Sequence, residues 1–305
     1  MMTMTDFVLG STGTDRGSGY HAEWLRCPRK AALNHIDKSK QKTKKPEWGR
    51  NEEYNGKPHR LVVGSLFHLF LRGFYSGTPI MREDRVVWED PDPQPESPIR
   101  LVVDTHPASY KEAHRLYMEY KLVASPDDLG IPTGFEVQLR SRLEADGDYR
   151  EVSGALDRRV NVHPEHLEGF LRRYGLELAP GRYIVDDKTE SRRSGDFEVH
   201  FDMSLQFKYY MFLDELEQNS PCSGTLVNVF IKTKSPERHV LLVKPLTDDD
   251  RRMVLNMIEQ TPTQKELDRL ASGEVQPEAY KANPSACEYR GQVCWFLQNG
   301  KCKRY

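Results

Sequence analysis

The chain has 305 residues, of which 30% are charged and 37% hydrophobic, and its formal net charge is −2. This length suffices for one large domain or two small ones with an ample core. The near-neutral charge argues against a globally basic nucleic-acid binder. A local basic groove is still compatible with it, because electrostatic steering depends on where the charges lie.

Location and redox state are suggested by what the sequence lacks. No stretch approaches the roughly eighteen consecutive apolar residues of a membrane span. The N-terminus has neither the basic segment nor the apolar core of a signal peptide. We therefore expect a cytoplasmic protein, or one in the host-cell cytoplasm if it is phage-encoded. In that reducing compartment the five cysteines are not expected to form disulfides.

The N-terminal part is predicted to be mainly helical. Residues 1–19 are rich in Gly, Ser and Thr and are expected to be flexible. A helix follows from His21 with an interruption at Pro28, and the lysine-rich residues 37–60 are typical of a solvated loop. The core candidates of the first helix are Trp24, Leu25 and Leu33.

Two further helices are predicted before the sheet. The apolar run 61–71 is long enough for a mostly buried helix, and 109–124 also has a helical pattern. Four prolines within 91–98 mark a linker or surface loop between them.

Strands and helices alternate in the rest of the chain. Residues 133–143 and 149–162 alternate as strands, with a turn signal at 146–148. Further strands are predicted at 183–188, 226–232 and 240–243, and helices at 166–174 and 203–217. This order predicts an α/β fold in which a mixed sheet lies inside a helical shell.

A last helix is predicted to begin with a capping box at Thr247, where three aspartates follow. Its expected apolar stripe consists of Met253, Val254, Met257 and Ile258.

Two predicted strands each lead into acidic residues. The first reaches Asp157, and the second ends in Asp186-Asp187-Lys188. Side chains alternate between the faces of a strand, so Asp186 and Lys188 should share one face and Asp187 the other. Two carboxylates beside a lysine suit a hard divalent cation and an anionic substrate. The pattern predicts the chemistry of a metal-dependent nuclease.

These residues belong to an ordered set of motifs. The set comprises His68, Glu136, Asp157, Asp186-x-Lys188 and Gln206-x-x-x-Tyr210. In this order it resembles the PD-(D/E)XK nuclease superfamily and, within it, the RecB-like branch. The resemblance covers about residues 20–305 and implies a restriction-endonuclease-like α/β domain. Within it we expect a helical part at 20–125, a catalytic core at 130–260 and a metal-cluster tail at 275–305.

The resemblance implies a role for each position. Asp157 and Asp186 would bind Mg2+ or Mn2+ together with the backbone carbonyl of Asp187. His68 would add a nitrogen ligand, which favours Mn2+. Glu136 would be a second-shell or second-metal carboxylate.

The remaining motif residues would act on the phosphate and the water. Lys188 would orient or help to deprotonate the attacking water and offset charge on the phosphate. Gln206 and Tyr210 would contact the phosphate backbone or the water, and their four-residue spacing puts them on one helix face.

The sequence departs from the family pattern in two places. Position 187 is usually apolar or aromatic, whereas here Asp187 needs a partner or solvent on the other face of the sheet. An added helix at 165–174 separates the two aspartate motifs.

Each motif also has a structural alternative. His68 could be a buried, hydrogen-bonded histidine, and Asp157 could cap a turn. Asp186 and Lys188 could form a surface ion pair of little energetic weight. Gln206 and Tyr210 could be polar positions of a packed helix.

The cysteines suggest a second metal centre. One early and three late cysteines resemble the iron–sulfur nucleases, which include AddB-type helicase-nucleases and the CRISPR-associated nuclease of spacer acquisition. The resemblance implies a [4Fe-4S] cluster that joins residue 27 to the tail. Zn2+ and ordinary free thiols are the alternatives. The four positions are Cys27, Cys287, Cys294 and Cys302, and Cys222 has no assigned role.

The expected function is that of a DNA nuclease acting on single strands or ends, and most simply an exonuclease. No P-loop is present, so the chain resembles stand-alone phage or CRISPR-associated nucleases more than helicase-fused ones. Lysines in 38–60 and the aromatic residues Tyr209, Trp295 and Tyr305 are candidate DNA contacts. The alternatives are a catalytically silent DNA-end-binding adaptor and an RNA-directed nuclease of the same fold.

Overall fold

The computed structural model describes residues 18–43, 59–76, 81–82, 85–86, 107–125, 129–145, 147–190, 204–232, 239–280, 288–289 and 292–293. The expected flexible segment before Ser18 and the proline-rich segment 91–98 lie outside these residues.

The predicted helices and strands are present, with bounds that differ by a few residues. The helices are α1 (Ser18–Arg26), α2 (Pro28–Thr43), α3 (His59–Ser76), α4 (Pro107–Lys121), α5 (Pro164–Tyr174), α6 (Leu205–Gln218), α7 (Asp248–Glu259), α8 (Gln264–Ser272) and the 3-10 turn Pro277–Ala279. The strands are β1 (Met81–Arg82), β2 (Arg85–Val86), β3 (Ile131–Ala145), β4 (Asp148–Val162), β5 (Gly181–Glu190), β6 (Gly224–Ile231), β7 (His239–Lys244), β8 (Glu288–Tyr289) and β9 (Gln292–Val293).

The main sheet has five strands in the order β3-β4-β5-β6-β7. Strand β4 is antiparallel to β5, β5 is parallel to β6, and β6 is antiparallel to β7. The predicted mixed α/β class is therefore confirmed. Strand β6 is buried along its whole length, in keeping with its apolar sequence and its central position beside a parallel neighbour.

The described residues fall into two compact units. The first comprises the described parts of 48–138 and 155–246, and the second those of 14–47, 139–154 and 247–305. The expectation of one nuclease domain over 20–305 stays a prediction.

The first unit has apolar clusters on both faces of the sheet. On one face, helices α3, α4 and α5 cover the sheet; the largest buried side chains there are Phe67, Phe70, Leu116, Tyr120, Phe170 and Phe230. On the other face, Phe207 of α6 packs against Val227, Val229 and Ile231 of β6. The second unit has its own cluster around Trp24, formed with Ala31, Ala32, Leu267 and Leu270.

Several sequence predictions are confirmed and others are wrong. The Thr247 capping box forms, with Thr247 Oγ1 accepting from the backbone N–H of Asp250 at 3.1 Å. Leu25 and Met253 are each 41% exposed and do not belong to the core, because their neighbours Trp24 and Val254 occupy the inward phase of each helix. The predicted loop 37–60 is also partly wrong: α2 continues to Thr43 and α3 begins at His59.

No helix in the described part of the chain is long and apolar enough to cross a membrane.

Gly130 lies close to the backbone of β4, and Gly147 does not. Both Gly130 (φ 82°) and Gly147 (φ 77°) have left-handed backbone conformations. A Cβ on Gly130 would lie 2.7 Å from the carbonyl oxygen of Asn161, whereas one on Gly147 meets nothing within 4 Å.

We expect Gly147→Ala to cost about 1–2 kcal/mol of unfolding free energy from backbone strain. Gly130→Ala should cost about 1–3 kcal/mol more, because β4 backbone must move. Urea unfolding measures both, and equal losses would contradict the close approach.

Candidate active site

The motif residues come from four elements of the first unit. Helix α3 carries His68, strand β4 carries Asp157, strand β5 carries Asp186 and Lys188, and helix α6 carries Tyr210. The alternation of β5 directs Asp186 and Lys188 to the face covered by α6. The Lys188 ammonium accordingly lies 6.0 Å from the ring centroid of Phe207 in α6.

Asp186 is buried and forms an ion pair with the partly exposed Lys188. The Asp186 carboxylate is 5% exposed, and its Oδ2 lies 2.6 Å from Lys188 Nζ. Burial, opposed by the charge of Lys188 and reinforced by the negative charge of Asp157, raises the pKa of Asp186 to about 6. The two aspartates are therefore close enough to repel each other.

Asp157 is held from two sides. Its Oδ2 accepts the backbone N–H of Asp187 at 2.8 Å and lies 3.4 Å from Nδ1 of His68. Burial opposes ionisation of Asp157, but the charges of His68 and Lys188 outweigh it and hold the pKa of Asp157 below its usual range. Burial would lower the pKa of His68, yet Asp157 and then Asp187 raise it to about 9. His68 is thus a cation at neutral pH.

Gln206 and Tyr210 face this group of charges. Their side chains hydrogen-bond to each other, one helical turn apart on α6. Burial, and next the charge of Asp186, raises the pKa of the Tyr210 phenol. Tyr210 therefore keeps its proton and is a hydrogen-bond donor beside the two carboxylates.

The donor set fits a hard divalent cation. Asp157 and Asp186 supply carboxylate oxygens, and His68 supplies an imidazole nitrogen once it has lost its proton to make room for the cation. Because the charge of one carboxylate raises the pKa of the other, added positive charge between them is favourable. Among the residues that the structure describes, no three His, Cys, Asp or Glu side chains converge as a preformed metal cage. In the structure His68 and Lys188 neutralise the carboxylates instead.

Asp187 has the partner on the opposite face that its sequence position requires. Its Oδ1 lies 2.6 Å from Nη2 of Arg158, and both residues are at most 3% exposed. Asn228 Nδ2 also donates to Asp187 Oδ1 at 2.5 Å. Sequence reasoning missed Arg158, although it was visible as a charged residue in the buried phase of β4 between Leu156 and Val160.

Other predicted positions are only partly described. Glu136 lies in strand β3, but its side chain is outside the described residues. Cys27 is buried between α1 and α2. Cys222 is buried too, and burial raises the pKa of its thiol to about 11, so it stays protonated. The predicted cluster cysteines Cys287, Cys294 and Cys302 lie outside the described residues, as do Trp295 and Tyr305.

One suggested DNA contact is wrong. Tyr209 is completely buried, since it lies on the core-facing side of α6. It cannot stack on a nucleobase in this fold.

Comparison with known families decides the class. The family model described as the PD-(D/E)XK nuclease superfamily matches residues 21–294. The chain belongs to the PD-(D/E)XK nuclease superfamily. Membership implies nuclease activity on a nucleic acid, and nucleases of this superfamily usually use Mg2+ or Mn2+. The mixed sheet flanked by helices agrees with its restriction-endonuclease-like fold.

Comparisons with individual proteins add little. No curated protein matches the sequence. Among solved structures, the crystal structure of SSO0001 is similar with a TM-score of 0.30 and 11% identity, over 70% of this chain and 83% of that one.

A second buried charge cluster holds α6 of this nuclease on the sheet. Asp214, which is fully buried, accepts from Nε of Arg159 on β4 and from Nε of Arg182 on β5, each at 2.7 Å. Asp214 lies one helical turn beyond Tyr210. The cluster therefore fixes the helix that carries Gln206 and Tyr210.

We expect Asp214→Ala to lower the unfolding free energy by about 3–5 kcal/mol, because it leaves two arginines without their buried partner. The matched control is Glu217→Ala, which removes a carboxylate on the same helix that also pairs with Arg159 at 2.5 Å but is 31% exposed. That change should cost about 1 kcal/mol or less. Urea unfolding of both variants measures the two losses of unfolding free energy. Similar losses would argue against a special role of the buried Asp214 in holding α6.

Proposed function

We propose that this protein is a Mg2+- or Mn2+-dependent deoxyribonuclease of the RecB-like branch. It would hydrolyse phosphodiester bonds as an exonuclease on single-stranded DNA or DNA ends. The observation that carries the proposal is the proximity of the partly exposed Asp157 to the buried Asp186 beside Lys188 on one face of the sheet. We further propose a cytoplasmic or host-cytoplasmic role in recombination, repair or CRISPR or phage DNA processing.

The cation site would be built from residues of α3, β4 and β5. Asp157, Asp186, His68 and the backbone carbonyl of Asp187 would hold Mg2+ or Mn2+. A cation bound there lowers the pKa of water and offsets charge on a phosphoryl oxygen. Glu136 is proposed as a nearby supporting carboxylate.

The other side chains would position the substrate and the water. The Lys188 ammonium is close enough to Asp186 to bind a phosphate oxygen or orient a water beside it. Tyr210, which keeps its proton, can donate its O–H to a phosphate oxygen, and its hydrogen bond with Gln206 holds the phenol oxygen in place.

The test is cleavage of end-labelled single- and double-stranded DNA, linear and circular, with each metal. We expect metal-dependent cleavage that requires free ends. Asp186→Ala should lower the rate about 100-fold or more. The control Asp249→Ala removes an exposed carboxylate of α7 and should leave the rate unchanged. Cleavage that persists in Asp186→Ala would refute the site, and cleavage of covalently closed circles would refute the exonuclease assignment.

Two other functions are outcomes of the same assay. A protein that binds DNA ends but cleaves no nucleic acid with either metal would be an adaptor with a silent site. Cleavage confined to RNA in the substrate panel would make the chain an RNA-directed nuclease.

We also propose a [4Fe-4S] cluster held by Cys27, Cys287, Cys294 and Cys302, with Zn2+ as the alternative. Contacts near the first cysteine support it. Arg29 of α2 donates to the backbone carbonyls of Tyr280 at 3.0 Å and Glu278 at 3.2 Å. The segment that leads to the last three cysteines thus begins beside the helix that follows Cys27.

An anaerobic preparation should be brown and should contain iron and sulfide. We expect Cys27→Ser to lose the visible absorbance and the iron, because a thiolate ligand is removed. The control Cys222→Ser should keep both, since that buried thiol stays protonated. A colourless wild type with stoichiometric zinc would replace the cluster by a zinc site, and equal iron in both variants would exclude Cys27 as a ligand.

A further inference from the structure

The ion pair between Arg158 and Asp187 is unusual because it is almost completely buried. The two residues are 1% and 3% exposed, and their closest atoms are 2.6 Å apart. The Arg158 guanidinium also lies 3.7 Å from the ring centroid of Tyr75. A buried ion pair is often no more stable than well-packed apolar residues. Stability alone therefore does not account for its presence.

The pair lies directly behind the proposed cation site. Arg158 follows Asp157 on β4, and Asp187 follows Asp186 on β5. Because side chains alternate along a strand, each member of the pair points away from the face on which its neighbouring carboxylate lies. The two carboxylates thus lie on one face of the sheet, here called the front face, and the ion pair lies on the other, here called the rear face.

Asp187 joins β4 through both faces of the sheet. Its backbone N–H donates to Asp157 Oδ2 at 2.8 Å on the front face. Its side chain contacts Arg158 at 2.6 Å on the rear face. Two contacts of one residue with consecutive residues of the neighbouring strand fix both the separation and the rotation of the strands at this point.

The residues around the ion pair of Arg158 and Asp187 also contact α3, the helix that carries His68. Tyr75, whose ring lies under Arg158, is seven residues after His68 on α3 and therefore shares its side of the helix. The hydroxyl groups of Tyr75 and Tyr120 are 2.5 Å apart, and Asn228 donates to the Tyr120 oxygen at 3.0 Å and to Asp187 at 2.5 Å. Strand β4, strand β5 and helix α3 are thus held by one connected group.

We propose that Arg158 and Asp187 are positioning residues, whose ion pair behind the sheet sets the spacing of Asp157 and Asp186 for a divalent cation. The inference rests on the proposed function, because it concerns the same cation site. Groups that orient metal ligands from behind typically change metal affinity by about 10- to 100-fold when removed.

The test replaces the pair by apolar residues and measures cation binding directly. In the double variant Arg158→Leu/Asp187→Leu no charge is left unpaired, so the fold should be retained. We expect the Kd for Mn2+, measured by calorimetric titration without DNA, to rise about tenfold or more. The backbone carbonyl of residue 187 is unchanged, so the rise would report the loss of the ion pair.

The matched control is Val162→Ala, a change on the same buried face of β4 four residues from Arg158. It lowers stability through a cavity without touching the pair, so its Kd for Mn2+ should stay within about twofold of wild type. Asp187→Asn provides a second variant, which loses the charge but keeps a side-chain oxygen that can accept from Arg158. It should fold and bind Mn2+ more weakly than wild type.

The outcomes separate this inference from the proposed function. If the wild type binds Mn2+ and the folded variants of the pair bind it equally well, the positioning role is overturned and the nuclease proposal stands. If the wild type binds no Mn2+, both the positioning role and the nuclease proposal are overturned. A Kd that rises equally in Val162→Ala would show a general effect of stability and would also overturn the inference.

Discussion

Strand β5 is buried on both faces over residues 183–187, yet it carries three consecutive charged residues. A charge inside a fold is costly unless an opposite charge or hydrogen bond meets it. The neighbouring elements supply these partners on both faces: Lys188 for Asp186 in front, and Arg158 for Asp187 behind. Strand β4 contributes Arg158 to these partners, and α6 is joined to β5 by the ion pair of Asp214 with Arg182.

The same constraint produces the chemistry of the site. Packing two carboxylates of neighbouring strands into one buried region raises the pKa of Asp186 and makes added positive charge favourable. His68 and Lys188 supply that charge in the structure, and a divalent cation would be favoured there for the same reason.

Local patterns predicted much of this arrangement. The alternation of polar and apolar residues gave the strands, the faces of Asp186 and Asp187, and the need for a partner behind the sheet. The partner itself, Arg158, was not predicted, because it pairs across strands 29 residues apart and no local rule selects it. For the same reason the ion pairs of Asp214 on α6 with Arg159 and Arg182 were not predicted. In a short helix such as α7, the sequence pattern leaves the core-facing side uncertain by one residue. Met253 was therefore wrongly predicted to lie in the core.

The central claim is that Asp157 and Asp186 together bind a divalent cation in a nuclease site. Crystals soaked with Mn2+ and measured at the manganese absorption edge test it most directly. We predict one strong anomalous peak at bonding distance from a carboxylate oxygen of each aspartate, with Lys188 displaced from Asp186. A peak at other residues, or no peak while both aspartates keep their His68 and Lys188 partners, would contradict the account.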